Sequence, residues 1–227
     1  MCHFIIPPAE PPPSKGFSLI ELLVVLAIIG LLALATVPAF NAIAGGHAVN
    51  QTAYDVSGLL EFARTEAVTR QTYVWVGFKN TNVNGNLELQ MAAVASRDGS
   101  GTNTSAANLM SLSRVLRAKN VSLSKWTDLK SSTRELLTAG QSTTSLSTNT
   151  LGVTFQVGAN RFDAKNSITF TPRGEALLQG SAGPNDGYDR LIDVSFRQSR
   201  GAAVLPEADD AAVIVDGASG TVRTLKL

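Results

Sequence analysis

Residues 15–30 read KGFSLIELLVVLAIIG, and this stretch decides what kind of chain it opens. From Leu22 an apolar run of 19 residues continues to Phe40, with Thr36 as its polar member. Between Phe17 and Asn50 the one formal charge is Glu21. A bilayer core takes roughly 20 apolar residues as helix, because lipid leaves backbone groups no partner outside the helix itself. The stretch therefore predicts a membrane-compatible α-helix over 17–44. Pro38 restricts the residue before it and predicts a kink or local melt near Thr36–Val37. An ordinary anchor and a secretory signal peptide both fit the run, and Ala33-Leu34-Ala35 has the small-x-small form of a signal cleavage site. Neither of them requires Glu21, a carboxylate that is costly in lipid.

Composition sets the frame around this segment. The chain has 227 residues, 44% apolar and only 16% charged, against about 25% charged in average proteins. That balance excludes a disordered chain. Net charge is +1, from 19 basic and 18 acidic residues, so no overall electrostatic pull on nucleic acid is present. The single cysteine, Cys2, excludes an internal disulfide framework.

Beyond the apolar run, Val49, Ala53, Val56, Leu60, Ala63 and Ala67 step by three and four, which is one helical face. The helix is expected to continue over 45–71, with Gly45-Gly46 as its weak point. Helix from Phe17 to Gln71 would span about 80 Å at the usual rise per residue. Arg64, Glu66 and Arg70 lie off the apolar face, and Glu66 with Arg70 forms an i,i+4 pair.

Residues 72–227 read as a β-rich head. Strands are expected at 72–78 and 87–95, joined across Asn84-Gly85, a hairpin signal. Further strands are expected at 112–116, 153–157, 167–171, 191–197, 211–216 and 221–226. The last two flank Gly217-Ala218-Ser219-Gly220, which reads as a terminal hairpin. Residues 97–108 and the Ser/Thr-rich stretch 141–150 read as loops, and 128–138 as a short helix. A long helix followed by one antiparallel sheet is an α+β fold.

The stretch KGFSLIELLVVLAIIG resembles the prepilin junction of the type IV pilin family, which includes the pseudopilins of type II secretion. The resemblance implies a leader over 1–16 and cleavage between Gly16 and Phe17 by a prepilin peptidase. N-methylation of Phe17 would follow, leaving 211 residues without cysteine. It also implies a subunit that sits in the inner membrane as a single pass and then joins a filament. Its partners would be other subunits, met through the N-terminal helix, and the assembly platform. Glu21 would be the family's glutamate, pairing with the Phe17 amine of a neighbour; both charges are costly when buried alone. Lys15 would stay on the cytoplasmic side and the head would face the periplasm or exterior.

Four stretches, FARTEAVTRQTYVWV, SITFTPRGEA, LIDVSF and AVIVDGASGTVRTL, resemble the minor-pseudopilin H and FimT branch, with its helix running into the first strand, its strand with a Pro-x-Gly turn and its closing strand–Gly–strand pair, and also the prepilin-type cassette proteins of Verrucomicrobia. Arg64, Glu66 and Ala67 match the first element, Phe170, Pro172 and Gly174 the second, Gly220 and Val222 the third. Residues 97–150 are longer than that branch's pattern.

Catalytic chemistry is not expected. His3 and His47 are the only histidines, so neither a zinc set nor a Ser-His-Asp triad can be drawn, and there is no phosphate-binding glycine loop. No cofactor is implied. Asp186 and Asp189 lie in a turn with oxygen ligands, a weak calcium candidate beside the plainer reading of an Asx/Gly turn. FimT-like relatives suggest DNA contact through basic C-terminal residues, here Arg197, Arg200, Arg223 and Lys226. From Arg161 onward, however, eight basic residues meet nine acidic ones, which is not a phosphate-tracking balance. The expectation is a structural subunit of a pseudopilus or pilus. A DNA-binding minor pilin and a membrane-anchored β-domain that never assembles are the alternatives.

Overall fold

The computed structural model describes Gly16 and residues 18–137, 141, 143–146, 153–178, 191–205 and 208–226, with backbone alone over 34–46 and at 164. The chain divides into two compact units, Met1–Ala42 and Ile43–Leu227. Helix α1 (Leu19–Arg70) contributes to both. No melt interrupts it at Thr36–Val37, where Pro38 had predicted a kink or break.

In the first unit, the large apolar residues of 19–32 are 45% to 82% exposed, on every side of the helix. Among the described residues no helix is long and apolar enough to cross a membrane. Of the run expected to do so, 22–33 is described with its side chains and 34–40 by backbone alone.

In the second unit, α1 is followed by β1 (Val74–Val83), β2 (Asn86–Ser96), β3 (Leu109–Ser111), β4 (Leu116–Lys119) and β5 (Val121–Ser124). Then come α2 (Ser131–Arg134), β6 (Thr144–Ser145), β7 (Phe155–Val157), β8 (Asn160–Phe162), β9 (Ser167–Phe170) and β10 (Ala176–Leu177). The chain closes with β11 (Leu191–Arg200), β12 (Ala203–Val204), β13 (Asp210–Asp216) and β14 (Val222–Leu225). The fold is α+β, but the strands form two sheets rather than the single one expected. The first runs β10-β9-β1-β2-β3, with β4 also on β2. The second runs β12-β11-β13-β14, with β5 and β6 also on β11. β7 and β8 make a separate hairpin. β6 pairs with β11 in parallel, so the expectation of purely antiparallel pairing fails there.

The two sheets follow from one crossing. β4 and β5 are nearly continuous, but Asn120 between them takes φ 59°. Asparagine tolerates this left-handed turn better than a branched residue does. The bend moves the chain from β2 to β11. The Asn80 side chain pins the crossing: its Nδ2 donates to Leu123 O at 3.2 Å, and Leu123 N donates to its Oδ1 at 2.8 Å.

The core joins α1 to both sheets. The six residues stepping along α1, Val49 to Ala67, are all buried. They share one cluster with Val76, Phe78 and Leu89 of the first sheet and Ile192, Val194 and Val213 of the second. Strand alternation sends the other side chains outward. There Trp75 and Val94 are covered by Phe155 and Phe162 of the β7–β8 hairpin, and Leu191 and Ile214 by Leu129.

The β1–β2 turn is Asn84-Gly85, both at positive φ, with Val83 facing Asn86 in register. Positive φ at both central residues is what a type I′ hairpin requires. Two local readings are corrected. The strand expected at 112–116 is replaced by β3 and β4, because Leu112 N and Ser113 N both donate to Ala93 O. Ser113 Oγ in turn accepts Ala93 N–H at 2.9 Å, so a hydroxyl substitutes for the ladder and breaks the strand. The helix expected at 128–138 shortens to α2 after a 3₁₀ turn, Trp126–Asp128. Its start is capped from outside: Asp210 accepts Lys130 N–H, and the Thr133 hydroxyl at 2.7 Å.

Candidate functional site

Gly16 is exposed and non-helical; Phe17 lies outside the described residues. Ser18 and Glu21 start the helix together. Ser18 N donates to Glu21 Oε2 at 3.3 Å, and Glu21 N donates to Ser18 Oγ at 3.2 Å. This reciprocal pair is a capping box, which satisfies two backbone donors that a helix start leaves open. The Ser-x-x-Glu spacing of Ser18 and Glu21 carries that signal in the sequence itself. Glu21 is exposed, followed by the bare apolar residues of 22–32. Gly16 and Glu21 are thus both exposed at the start of α1.

In the second unit, three distant stretches meet. Arg64 on α1 donates from Nε to Gly174 O at 3.3 Å. Gly174 and Gly220 have φ of 84° and 64°, the left-handed region that favours glycine. A Cβ on Gly220 would lie 2.1 Å from that same Gly174 oxygen. The Arg-x-Glu-Ala stretch, the Pro-x-Gly turn and the terminal hairpin are therefore one locus.

The four basic candidates do not all share one face. Arg197 lies opposite Asp210 in register, and its Nη2 donates to Leu205 O at 2.8 Å. Arg223 faces Ile214 in register and so shares the face of Arg197. Arg200 falls on the other face by strand alternation. Lys226 Nζ donates to Asn50 Oδ1 on α1. Asp186 and Asp189 lie outside the described residues. Among the described residues no group of three or more His, Cys, Asp or Glu side chains is placed to hold a metal ion.

Among the described residues two carboxylates are perturbed. Burial pushes Asp193, on β11, above the usual carboxylate range, against hydrogen bonds from Ser195, Thr143 and Ser145. Its Oδ2 accepts the Ser195 and Ser145 hydroxyls at 2.7 and 3.3 Å. Asp98, on the loop after β2, is held well below that range by Ser100 N–H first, then by Ser96, Asn103 and Asn108. Asp98 is exposed, and its hydrogen bonds organise the loop. A cleft of about 650 Å³ opens beside it at the end of α1, lined by Arg70, Thr72, Arg97 and Met110.

The prokaryotic N-terminal methylation motif matches residues 12–37, which include Gly16, Ser18, Glu21 and most of the apolar run. The motif marks a prepilin-type chain, a substrate of prepilin peptidase in pilus and secretion systems. No curated protein and no solved structure matches the chain.

Proposed function

We propose that this chain is a structural subunit of an extracytoplasmic filament, made as a precursor and cut between Gly16 and Phe17. The observation that carries the reading is the methylation motif over 12–37, which overlaps the first stretch of α1, where the large apolar residues of 19–32 are bare on all sides. Bare apolar surface of that extent needs a cover. Lipid of the inner membrane covers it first and neighbouring subunits' helices replace the lipid on assembly. Packing of that kind rests on close fit and polar pairing. Glu21, exposed at the start of the run, supplies the polar pairing by meeting the Phe17 amine of a neighbour. The second unit, carrying both sheets, faces the periplasm or the filament surface. A minor subunit of the H and FimT kind, in a type II pseudopilus or a type IV pilus, is the finer reading. We read the role as structural rather than catalytic. The DNA-binding alternative has less behind it, since Arg197, Arg200, Arg223 and Lys226 do not share one face.

Mass spectrometry of the N-terminus of protein taken from its native membrane tests this. The expected first residue is N-methyl-Phe17. A chain that begins at Met1, or just after Ala35, overturns the reading.

A further inference from the structure

Among the described residues β4 is the edge of the first sheet on its side. It pairs with β2 through Met91↔Leu116, Gln90↔Arg117, Leu89↔Ala118 and Glu88↔Lys119. Leu89 and Ala118 belong to the main core, so Arg117 and Lys119 stand on the opposite, outer face. Both are exposed. Asn120 N donates to Leu87 O at 3.0 Å. In an antiparallel ladder that bond fixes which residues point which way. Positions 116, 118 and 120 bond towards β2; the N–H and C=O groups of Arg117 and Lys119 point out from the edge. Lys79, across Gln90 on β1, adds a third cation to the same rows. Among the described residues none of the three makes an ion pair, and the acid of these rows, Glu88, is buried.

We propose that the free edge of β4 docks an extended acidic segment of a partner protein, added as a further strand. Strand addition draws affinity from main-chain hydrogen bonds and specificity from alternate side chains. On the outer face, residues two apart on the incoming strand stand beside Arg117 and Lys119, so carboxylates fit there. The intervening residues lie over Leu116 and Ala118 and must be small or apolar. The partner sequence is therefore acid–apolar–acid. Charges on an edge strand also repel copies of that strand. Arg117 and Lys119 thus exclude a second β4 and admit its charge complement.

A fluorescent heptapeptide, Thr-Glu-Val-Glu-Val-Glu-Thr, titrated against the full chain and followed by anisotropy, tests this. Binding is expected, weakening as salt rises. Replacing Arg117 and Lys119 together by Glu should weaken it at least about tenfold, as expected for two lost ion pairs and two new repulsions. The same pair replaced by Gln, checked by an unchanged thermal melt, should give an intermediate loss. The lysine version of the peptide should not bind. A peptide N-methylated on the amides that would face β4 should also fail, because its charge is intact and its ladder is blocked. No binding of the acidic peptide overturns the proposal. So does binding that the Glu variants leave unchanged, or equal binding of the N-methylated peptide. Duplex DNA that competes at lower concentration than the peptide overturns it in favour of a general polyanion surface.

Discussion

Arg64 Nε donates a hydrogen bond to the carbonyl oxygen of Gly174, 110 residues further along the chain. Gly220 sits over that same oxygen, and Ala176 N donates to Gly217 O at 2.8 Å just beside it. One carbonyl thus lies where α1, the end of the first sheet and the terminal hairpin of the second converge. Gly220→Ala should be strongly destabilising, by about 2 kcal/mol or more from the left-handed backbone together with the close contact. Arg64→Ala, which loses one hydrogen bond, should cost about 1 kcal/mol. Urea denaturation of both variants ranks them, and equal costs would remove Gly220 from the centre of this locus.

Gly77 makes a second close approach, where the Phe155 ring would meet its Cβ at 2.7 Å. Gly77→Ala should lift the β7–β8 hairpin or strain it, at about 1–3 kcal/mol. Hydrogen exchange should rise over 155–162 and leave β13 unchanged.

Asp193 makes stability depend on pH. Its folded-state value is raised by burial, so the folded protein holds its proton more tightly than the unfolded chain does. The sign follows from linkage: this contribution is present in full below the unfolded value and is lost as pH rises through the folded one. Asp193→Asn should therefore be more stable than the parent at neutral pH, with the gap closing as pH falls. Chemical denaturation of both proteins across the acid range checks it; a gap that widens towards low pH contradicts the assignment.

Asp98 has the opposite sign. Its lowered value means that the loop network is held above the unfolded carboxylate value and is lost only in strong acid. Asp98→Ala should raise hydrogen exchange over 97–108, where Asn108 and Asn103 donate to it at 2.8 and 2.7 Å. Global stability should change little, because Asp98 is exposed.

Gly16 and Glu21 separate processing from assembly. A Cβ at Gly16 meets nothing within 4 Å, so Gly16→Leu leaves the fold alone. On the proposed reading it should block removal of the leader, seen as a mass increase in membrane extracts. Glu21→Gln should be processed yet enter filaments poorly. Filament incorporation at the parent's level would end the pairing role given to Glu21.

The sequence by itself determined what local pattern can determine. The apolar run after Gly16, the helical face from Val49 to Ala67 and the Asn84-Gly85 hairpin each depend on residues close in sequence. Periodicity and turn chemistry read such features directly. So does the methylation motif, a contiguous signal. The tertiary structure decided the rest. Two sheets instead of one follow from the bend at Asn120 and from Asn80 reaching Leu123, partners 43 residues apart. The start of α2 is held by Asp210, which accepts Lys130 N–H from 80 residues away. Arg223 comes to the same face as Arg197, from 26 residues further along the chain, through the registers of β13 with β14 and β11. Arg117 and Lys119 form a cationic edge because, among the described residues, β4 pairs with β2 alone. Each of these rests on which strand lies beside which, and that is settled when distant apolar faces are buried together.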